Sequence, residues 1–312
     1  MTANTHEPMR TQDYGFFGPG SPSWKIWTAP TSLIGFQRAV VLEHFDPFLA
    51  AAVADMRGIY SNPARRLDRT LAYFLTIAVA DSRTATEASR LLMRVHSQVT
   101  GVEPISGKRY SANNPDSQLW IHITGWHSVL KAYEMYGPGP LPADEERRYW
   151  EECAIAANLQ TCNPADVPRS RQGVRDYFEA VRPRLCTSER AHEGMHYLLR
   201  TPAANAGIAF WAISRMLAPA TIATLPKWMR VLGGFDQTAL IDGIAPPLIR
   251  VVTTFGQWPV LKVAALRLSA PRTARIMGEH HRGDQPRNTH TVPPVNVREQ
   301  REHLEPVTAS AG

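Results

Sequence analysis

The chain has 312 residues, of which 44% are hydrophobic and 20% are charged, and its formal net charge is +6. This is an ordinary globular balance, with enough apolar sequence for a sizeable core, so an intrinsically disordered chain is excluded. The basic residues are scattered and do not alternate with aromatic residues, so the charge does not indicate a nucleic-acid partner.

Residues 1–30 are rich in glycine, proline and aromatic residues, and this composition predicts an extended arm that wraps around the domain. Beyond the arm, the sequence predicts one helix after another, without convincing strand alternation. Three helix starts combine a capping side chain with proline, which lacks the N–H that a helix start leaves unpaired: Asp46–Pro47, Asn62–Pro63 and Asn114–Pro115.

Two of these helices carry apolar stripes that repeat about every 3.6 positions. The stripes consist of Ala88, Leu92, Val95 and Val99 in residues 85–100, and of Leu119, Ile123, Trp126, Leu130 and Tyr133 in residues 115–136. Thr84 and Glu87 are spaced as a capping box, and Gly101 and Gly137 are placed to end the two helices. Further helices are predicted over residues 143–160, 171–181, 203–217, 226–232 and 237–256.

From Pro271 onward the sequence is polar and rich in proline, so we predict a disordered tail. The predicted fold class is all-α, with one multi-helix domain over residues 31–270 between the arm (1–30) and the tail (271–312). The most apolar stretch, residues 203–225, is interrupted by Arg215 and Pro219. It therefore predicts a buried helix, or alternatively an interfacial one, rather than a membrane span.

Three cysteines, Cys153, Cys162 and Cys186, are too widely spaced for a CxxC zinc site, and their odd number does not suit a disulfide framework. We expect reduced thiols in a cytoplasmic protein, because the N-terminus shows no basic segment followed by an apolar one. No CxxCH segment is present, which excludes covalently attached c-type haem.

One motif suggests a zinc peptidase. His192, Glu193 and His196 match HExxH, in which two histidines one helical turn apart bind zinc and the glutamate acts as a base. A catalytic zinc needs a third protein ligand, and the next candidates, Glu279 and His280, lie at the edge of the predicted tail. The preferred explanation is that these are surface histidines whose spacing matches the motif by chance. The zinc peptidase is kept as a remote alternative function.

Other histidines lie at the edges of the apolar stripes: His96 in the first helix, and His122 and His127 in the second. A hydrogen-bonded core histidine is the common explanation for such a position. The alternative is that the two helices pack together and present an imidazole to a shared apolar pocket, as an axial iron ligand requires.

A further polar surface is predicted on the helix over residues 63–79. Arg66, Arg69, Thr70 and Tyr73 share one of its faces. This face is either a solvated edge or a cationic, hydroxyl-bearing wall over a cofactor.

Six segments carry a family resemblance. In chain order they are GFQRAVVLEHFDP, NPARRLDRTLAYF, RLLMRVHSQVTG, GKRYSANNPDSQLWIHITGWHSVLKAYEMYG, VPRSRQGVRDYFEAVRPRL and LPKWMRVLGG. The ordered set resembles the haem oxygenase family that includes the rubber oxygenase (latex clearing protein) and the MpaB oxygenase, in particular its short actinobacterial-type members. The resemblance extends from about Gly35 to Leu185, and more weakly to about residue 270.

This resemblance implies a globin-reminiscent helical core that encloses one haem b. His96 takes the place of the proximal histidine that ligates the iron, and Arg66 and Thr70 take the places of the distal-pocket arginine and threonine. Arg69 stands where the rubber oxygenase has a lysine that can reach the iron; a guanidinium does not ligate iron, so the sixth site would be open or filled by water. His122 matches a histidine of the short members and would orient His96, bind a propionate, or compete as a ligand.

The implied activity is that of an oxygenase which uses dioxygen to oxidise or cleave an apolar, olefinic or isoprenoid-like substrate. Arg66 and Thr70 would act beside the dioxygen, and Leu92, Trp126 and Leu130 would line the substrate pocket. A non-catalytic haem protein, such as a gas sensor or haem carrier, is the alternative. We also expect a peripheral membrane contact through the aromatic residues of segment 14–27.

Overall fold

A computed structural model describes residues 12–56, 58–235 and 237–283 of the chain. It confirms the predicted all-α fold. The first helices are α1 (Pro22–Trp27), α2 (Ser32–Glu43), α3 (Pro47–Met56), α4 (Gly58–Ser61), α5 (Pro63–Val79), α6 (Ser82–His96) and α7 (Pro115–Tyr136). The remaining helices are α8 (Ala143–Ala156), α9 (Arg171–Val181), α10 (Glu189–Leu199), α11 (Ala203–Ala206), α12 (Ile208–Ala223), α13 (Lys227–Leu232), α14 (Ala239–Gly256), α15 (Pro259–Ser269) and α16 (Pro271–Arg282).

Short elements complete the described part of the chain. Three 3₁₀ turns cover Ala157–Leu159, Pro164–Asp166 and Arg182–Arg184. Strands β1 (Thr100–Val102) and β2 (Arg109–Ser111) form an antiparallel hairpin between α6 and α7. Gly101, predicted to end a helix, lies instead in β1, because α6 already ends at His96.

The predicted helix starts depend on local capping. The Asn62 side chain accepts a hydrogen bond from the Arg65 amide at 3.1 Å, and Asn114 caps α7 in the same way. Helix α6 differs from its prediction, because its cap is Asp81 rather than Thr84. The carboxylate of Asp81 accepts from the Thr84 amide at 2.9 Å, so that α6 begins at Ser82, three residues earlier than predicted.

Both ends of the described chain pack onto the domain. Instead of an extended arm, residues 22–27 form α1, whose Trp27 stacks on Phe74 of α5 with ring centroids 5.4 Å apart. Residues 271–282, expected to be disordered, form α16. Asp68 of α5 caps this helix by accepting hydrogen bonds from the amides of Arg272 and Thr273, at 3.0 and 2.9 Å. The remaining parts of the predicted arm and tail, residues 1–11 and 284–312, lie outside the described residues.

The aromatic residues of segment 14–27 also face the protein. Phe17 packs edge-on against Trp126, and Trp24 packs against His280 of α16 with ring centroids 4.8 Å apart. The first and last described helices therefore meet at one place on the domain.

Helices α2 and α7 form the centre of the fold. They cross at Gly35, where a Cβ atom would lie 2.5 Å from the Val129 Cα and 2.9 Å from the Ser128 carbonyl oxygen. Near this crossing, the buried Arg38 donates from Nη1 to the Ser128 hydroxyl at 2.7 Å and to His127 Nδ1 at 3.2 Å. Burial lowers the pKa of Arg38 to about 9. The crossing thus combines a close backbone approach with a buried polar link.

We predict that Gly35→Ala destabilises the fold, because two backbones would have to separate to admit the methyl group. Overpacking of this kind costs about 1–3 kcal/mol or more, so we expect a loss of at least about 2 kcal/mol in unfolding free energy, measured by urea denaturation. Gly125→Ala is the matched control, since a Cβ there meets no atom within 4 Å. That control should be neutral or stabilising by up to about 1 kcal/mol. Equal stability of the two variants would contradict the proposed crossing.

Candidate functional site

Arg66 of α5 is the centre of a partly buried polar cluster. Its Nη1 atom lies 3.7 Å from the position that a Cβ at Gly58 would take, and it has no hydrogen-bond partner among the described residues. Burial lowers the pKa of Arg66, while the carboxyl of Glu43 opposes this effect. The residues whose pKa responds to the Arg66 charge are Glu43, His44 and His96. These four residues are called the Arg66 cluster below.

The end of α2 contributes Glu43 and His44. Burial raises the pKa of Glu43 to about 8, with Arg66 acting in the opposite direction, so this carboxyl is protonated at neutral pH. Burial lowers the pKa of His44 to about 4. The Nδ1–H of His44 donates to the Val40 carbonyl at 2.7 Å, which leaves Nε2 deprotonated, buried and without a partner in the described chain.

His96 is the last residue of α6 and is half-buried. Desolvation and then the Arg66 charge lower its pKa, so the ring is neutral at neutral pH. Its imidazole makes no hydrogen bond to another described residue. A neutral imidazole with an unused nitrogen is the form in which histidine binds a metal centre.

The two other predicted residues of α5 differ in position. Thr70, one turn after Arg66, is half-buried, and its hydroxyl donates to the Arg66 carbonyl at 3.0 Å. Arg69 is exposed, so its side chain faces solvent. Its expected contact with a cofactor stays a prediction.

The structure places His122 apart from the Arg66 cluster. His122 is buried, its Nε2–H donates to the Cys153 carbonyl at 2.8 Å, and burial lowers its pKa to about 4. Its ring packs on Trp126, which belongs to the core together with Leu130. Trp126 and Leu130 are therefore core residues, and their expected contact with a substrate stays a prediction.

The HExxH segment on α10 has a different neighbourhood. His196 Nε2–H donates to the Gly233 carbonyl at 2.8 Å, so this nitrogen is not free for zinc. Within the described residues, no three His, Cys, Asp or Glu side chains converge as a metal site. Gly194 has a packing role, since a Cβ there would lie 3.0 Å from His44 Nε2. This helix thus forms a wall next to the Arg66 cluster.

An apolar cavity of about 330 Å³ lies on another side of α5. Leu71, Phe74 and Leu75 line it from α5, and residues of α1, α2, the segment between those two helices, α12, α14, α15 and α16 line the rest. Lys262 is a polar exception: its ammonium donates to the Thr28 carbonyl at 2.7 Å, and burial lowers its pKa to about 8. No member of the Arg66 cluster lines this cavity, and Leu71 directly follows Thr70 in the chain, so α5 contributes to both places.

Sequence reasoning missed Glu43 and His44, although they lie within GFQRAVVLEHFDP. The available signal is an acid and a histidine side by side at the end of an otherwise apolar run, where burial perturbs both pKa values. Their proximity to Arg66 depends on how α2 and α5 pack, which spacing within one helix does not reveal.

Comparison with known proteins gives one match. A family model described as "ER-bound oxygenase mpaB/B'/Rubber oxygenase, catalytic domain" matches residues 24–254. The matched range contains all four members of the Arg66 cluster. No curated protein and no solved structure matches the chain.

We predict that Glu43→Gln changes how stability depends on pH. Because the folded-state pKa of about 8 lies above the usual 4.5, the stability due to protonated Glu43 is full below pH 4.5 and is lost as pH rises towards 8. Glutamine cannot ionise. The unfolding free energy of the variant relative to wild type should therefore rise between about pH 5 and 8, by up to a few kcal/mol.

Urea denaturation across this pH range measures the difference. Glu87→Gln on α6 is the control, because that side chain is 50% exposed. Parallel stability curves for Glu43→Gln and wild type would show that Glu43 does not titrate in this range.

Proposed function

Because the chain belongs to the mpaB/rubber oxygenase catalytic-domain family, we propose that it is a haem-b-dependent oxygenase that oxidises or cleaves an apolar, olefinic or isoprenoid-like substrate. The family is one of oxygenases, so the chain is an oxidoreductase. Haem dependence and the substrate class are the parts that we propose. The observation that carries them is the buried, unpartnered guanidinium nitrogen of Arg66 close to the neutral His96.

The residues of the Arg66 cluster fit a haem. A b-type haem needs one neutral imidazole for its iron, and a fixed cationic donor suits the negative charge that develops on oxygen. His96 offers a neutral imidazole with no hydrogen bond to another described residue, and Arg66 offers an unused N–H in a buried setting. His44 Nε2 is a second unpartnered imidazole nitrogen. We propose that His96 ligates the iron, with His44 as the competing ligand.

Haem, when bound, supplies the binding and reduction of dioxygen. The chain supplies the charge. Arg66 is held in a buried position, where a fixed donor stabilises negative charge that develops on oxygen far better than water does. The Thr70 hydroxyl donates a hydrogen bond to the Arg66 carbonyl, so Thr70 helps to fix this turn of α5, and the lone pairs of its oxygen can accept a hydrogen bond from a ligand.

Glu43 is a candidate proton donor. A carboxyl with a pKa of about 8 holds its proton at neutral pH and releases it to a base of similar strength. The neutral His44 beside it has an acceptor nitrogen that no described residue uses. The two side chains therefore provide a donor and an acceptor next to the Arg66 charge.

We predict that the recombinant protein contains iron and shows a Soret band that His96→Ala abolishes. His122→Ala should keep the band, because His122 Nε2 is engaged by the Cys153 carbonyl. Absorption spectra and metal analysis measure this, and circular dichroism verifies that each variant is folded. Loss of the band in His44→Ala or His122→Ala, but not in His96→Ala, would contradict the ligand assignment. Stoichiometric zinc without iron would contradict the haem.

We predict that Arg66→Met slows turnover while haem content is retained. Removal of one fixed donor from a developing negative charge costs about 10²–10³ in rate. Dioxygen uptake with a panel of olefinic isoprenoids is the measurement, and Arg65→Met, at an exposed neighbouring position, is the control. A wild-type protein that binds haem but consumes no dioxygen with any olefin would favour a gas sensor or haem carrier instead.

A further inference from the structure

The C-terminal helices expose an apolar surface. On α14, Leu240, Ile244, Leu248, Val251 and Phe255 are all more than half exposed and follow one another at helical spacing along one side. Only Ile249 and Thr253 of this helix are buried. Val260 of α15 is 79% exposed and continues the surface. These six exposed residues are called the apolar face.

Helix α14 lies along the domain. It is the one described helix that is long and apolar enough to cross a membrane, and 11% of it is buried. However, Arg250 Nε donates to the Met135 carbonyl at 2.8 Å, and the Thr253 hydroxyl donates to the Tyr136 carbonyl at 2.5 Å. These bonds attach one edge of α14 to the end of α7. The opposite edge is the apolar face, which is the arrangement of an interfacial helix.

The same part of the chain carries the net charge. Residues 207–283 contain nine of the 34 basic residues and three of the 28 acidic ones, so this segment has the whole net charge of +6. Arg267 is exposed on α15 and shares a side of that helix with Val260, seven residues before it. An apolar surface that has Arg267 beside it and belongs to a segment of net charge +6 is complementary to an anionic bilayer, whereas two copies of this basic segment repel each other.

We propose that the apolar face docks onto the surface of an anionic lipid bilayer, and that the apolar cavity beneath it takes up a lipid-soluble molecule. Phe255 and Leu261 line the cavity and are 57% and 46% exposed, so its mouth lies at the apolar face. Leu71 and Phe74 line its far side on α5. The uptake of a substrate by this route rests on the proposed oxygenase function; the docking does not.

Co-sedimentation with vesicles tests the docking. We expect the protein to bind an equimolar mixture of phosphatidylglycerol and phosphatidylcholine, and to bind phosphatidylcholine alone at least about tenfold more weakly, because the anionic surface attracts the basic segment. The double variant Ile244→Asp, Val260→Asp should lose binding to both. Ile105→Asp is the matched control, at a 67% exposed position on the hairpin loop, and should bind like wild type. Arg267→Glu should reduce the preference for phosphatidylglycerol.

A separate variant tests whether the apolar cavity takes up a lipid-soluble molecule. Ala265→Phe places a ring in the cavity wall, so it should keep vesicle binding and abolish the fluorescence enhancement of a polyene probe carried in the vesicles. Equal probe binding by this variant and wild type would overturn the uptake. Unchanged vesicle binding by the double Asp variant would overturn the docking. The docking would also be overturned if wild type does not bind vesicles and light scattering shows that wild type is a dimer and the double Asp variant a monomer. The absorption of the Soret band is measured in each sample, so that a variant that has lost haem can be distinguished from one that has lost vesicle binding.

Discussion

The close crossing of α2 and α7 is the constraint on which the other features depend. With glycine at position 35, the two backbones come so near that the buried Arg38 reaches the hydroxyl of Ser128. This contact sets the direction in which α2 continues, and therefore where Glu43 and His44 lie at its end. Removing the polar groups of the Arg66 cluster from water costs free energy. A rigid crossing keeps these groups in place against that cost.

The Arg66 cluster keeps one charge in the interior. Its two histidines are neutral and its carboxyl is protonated at neutral pH, so the guanidinium is not compensated within the group. A half-buried cation without a counter-charge is costly, and an anionic ligand relieves that cost. The family to which the chain belongs agrees with this chemistry, since reduction of dioxygen generates negative charge on oxygen.

Helices α5 and α7 were predictable because their capping residues, Asn62 and Asn114, are adjacent to them in the sequence. Helices α1 and α16 were not, because distant partners hold them: Phe74 stacks on Trp27, and Asp68 caps α16. The same distinction holds for the site. The resemblance singled out His96 and Arg66, whereas Glu43 and His44 join them only through the packing of α2 against its neighbours.

The contact of Trp24 with His280 bears on how the chain can be reconnected. Because α1 and α16 meet, both ends of the described chain leave the domain from the same neighbourhood. A short peptide linker could therefore join them, and new termini could be opened in an exposed loop such as the hairpin around Ile105. Such a circular permutant would retain every helix while reversing which segment is synthesised first.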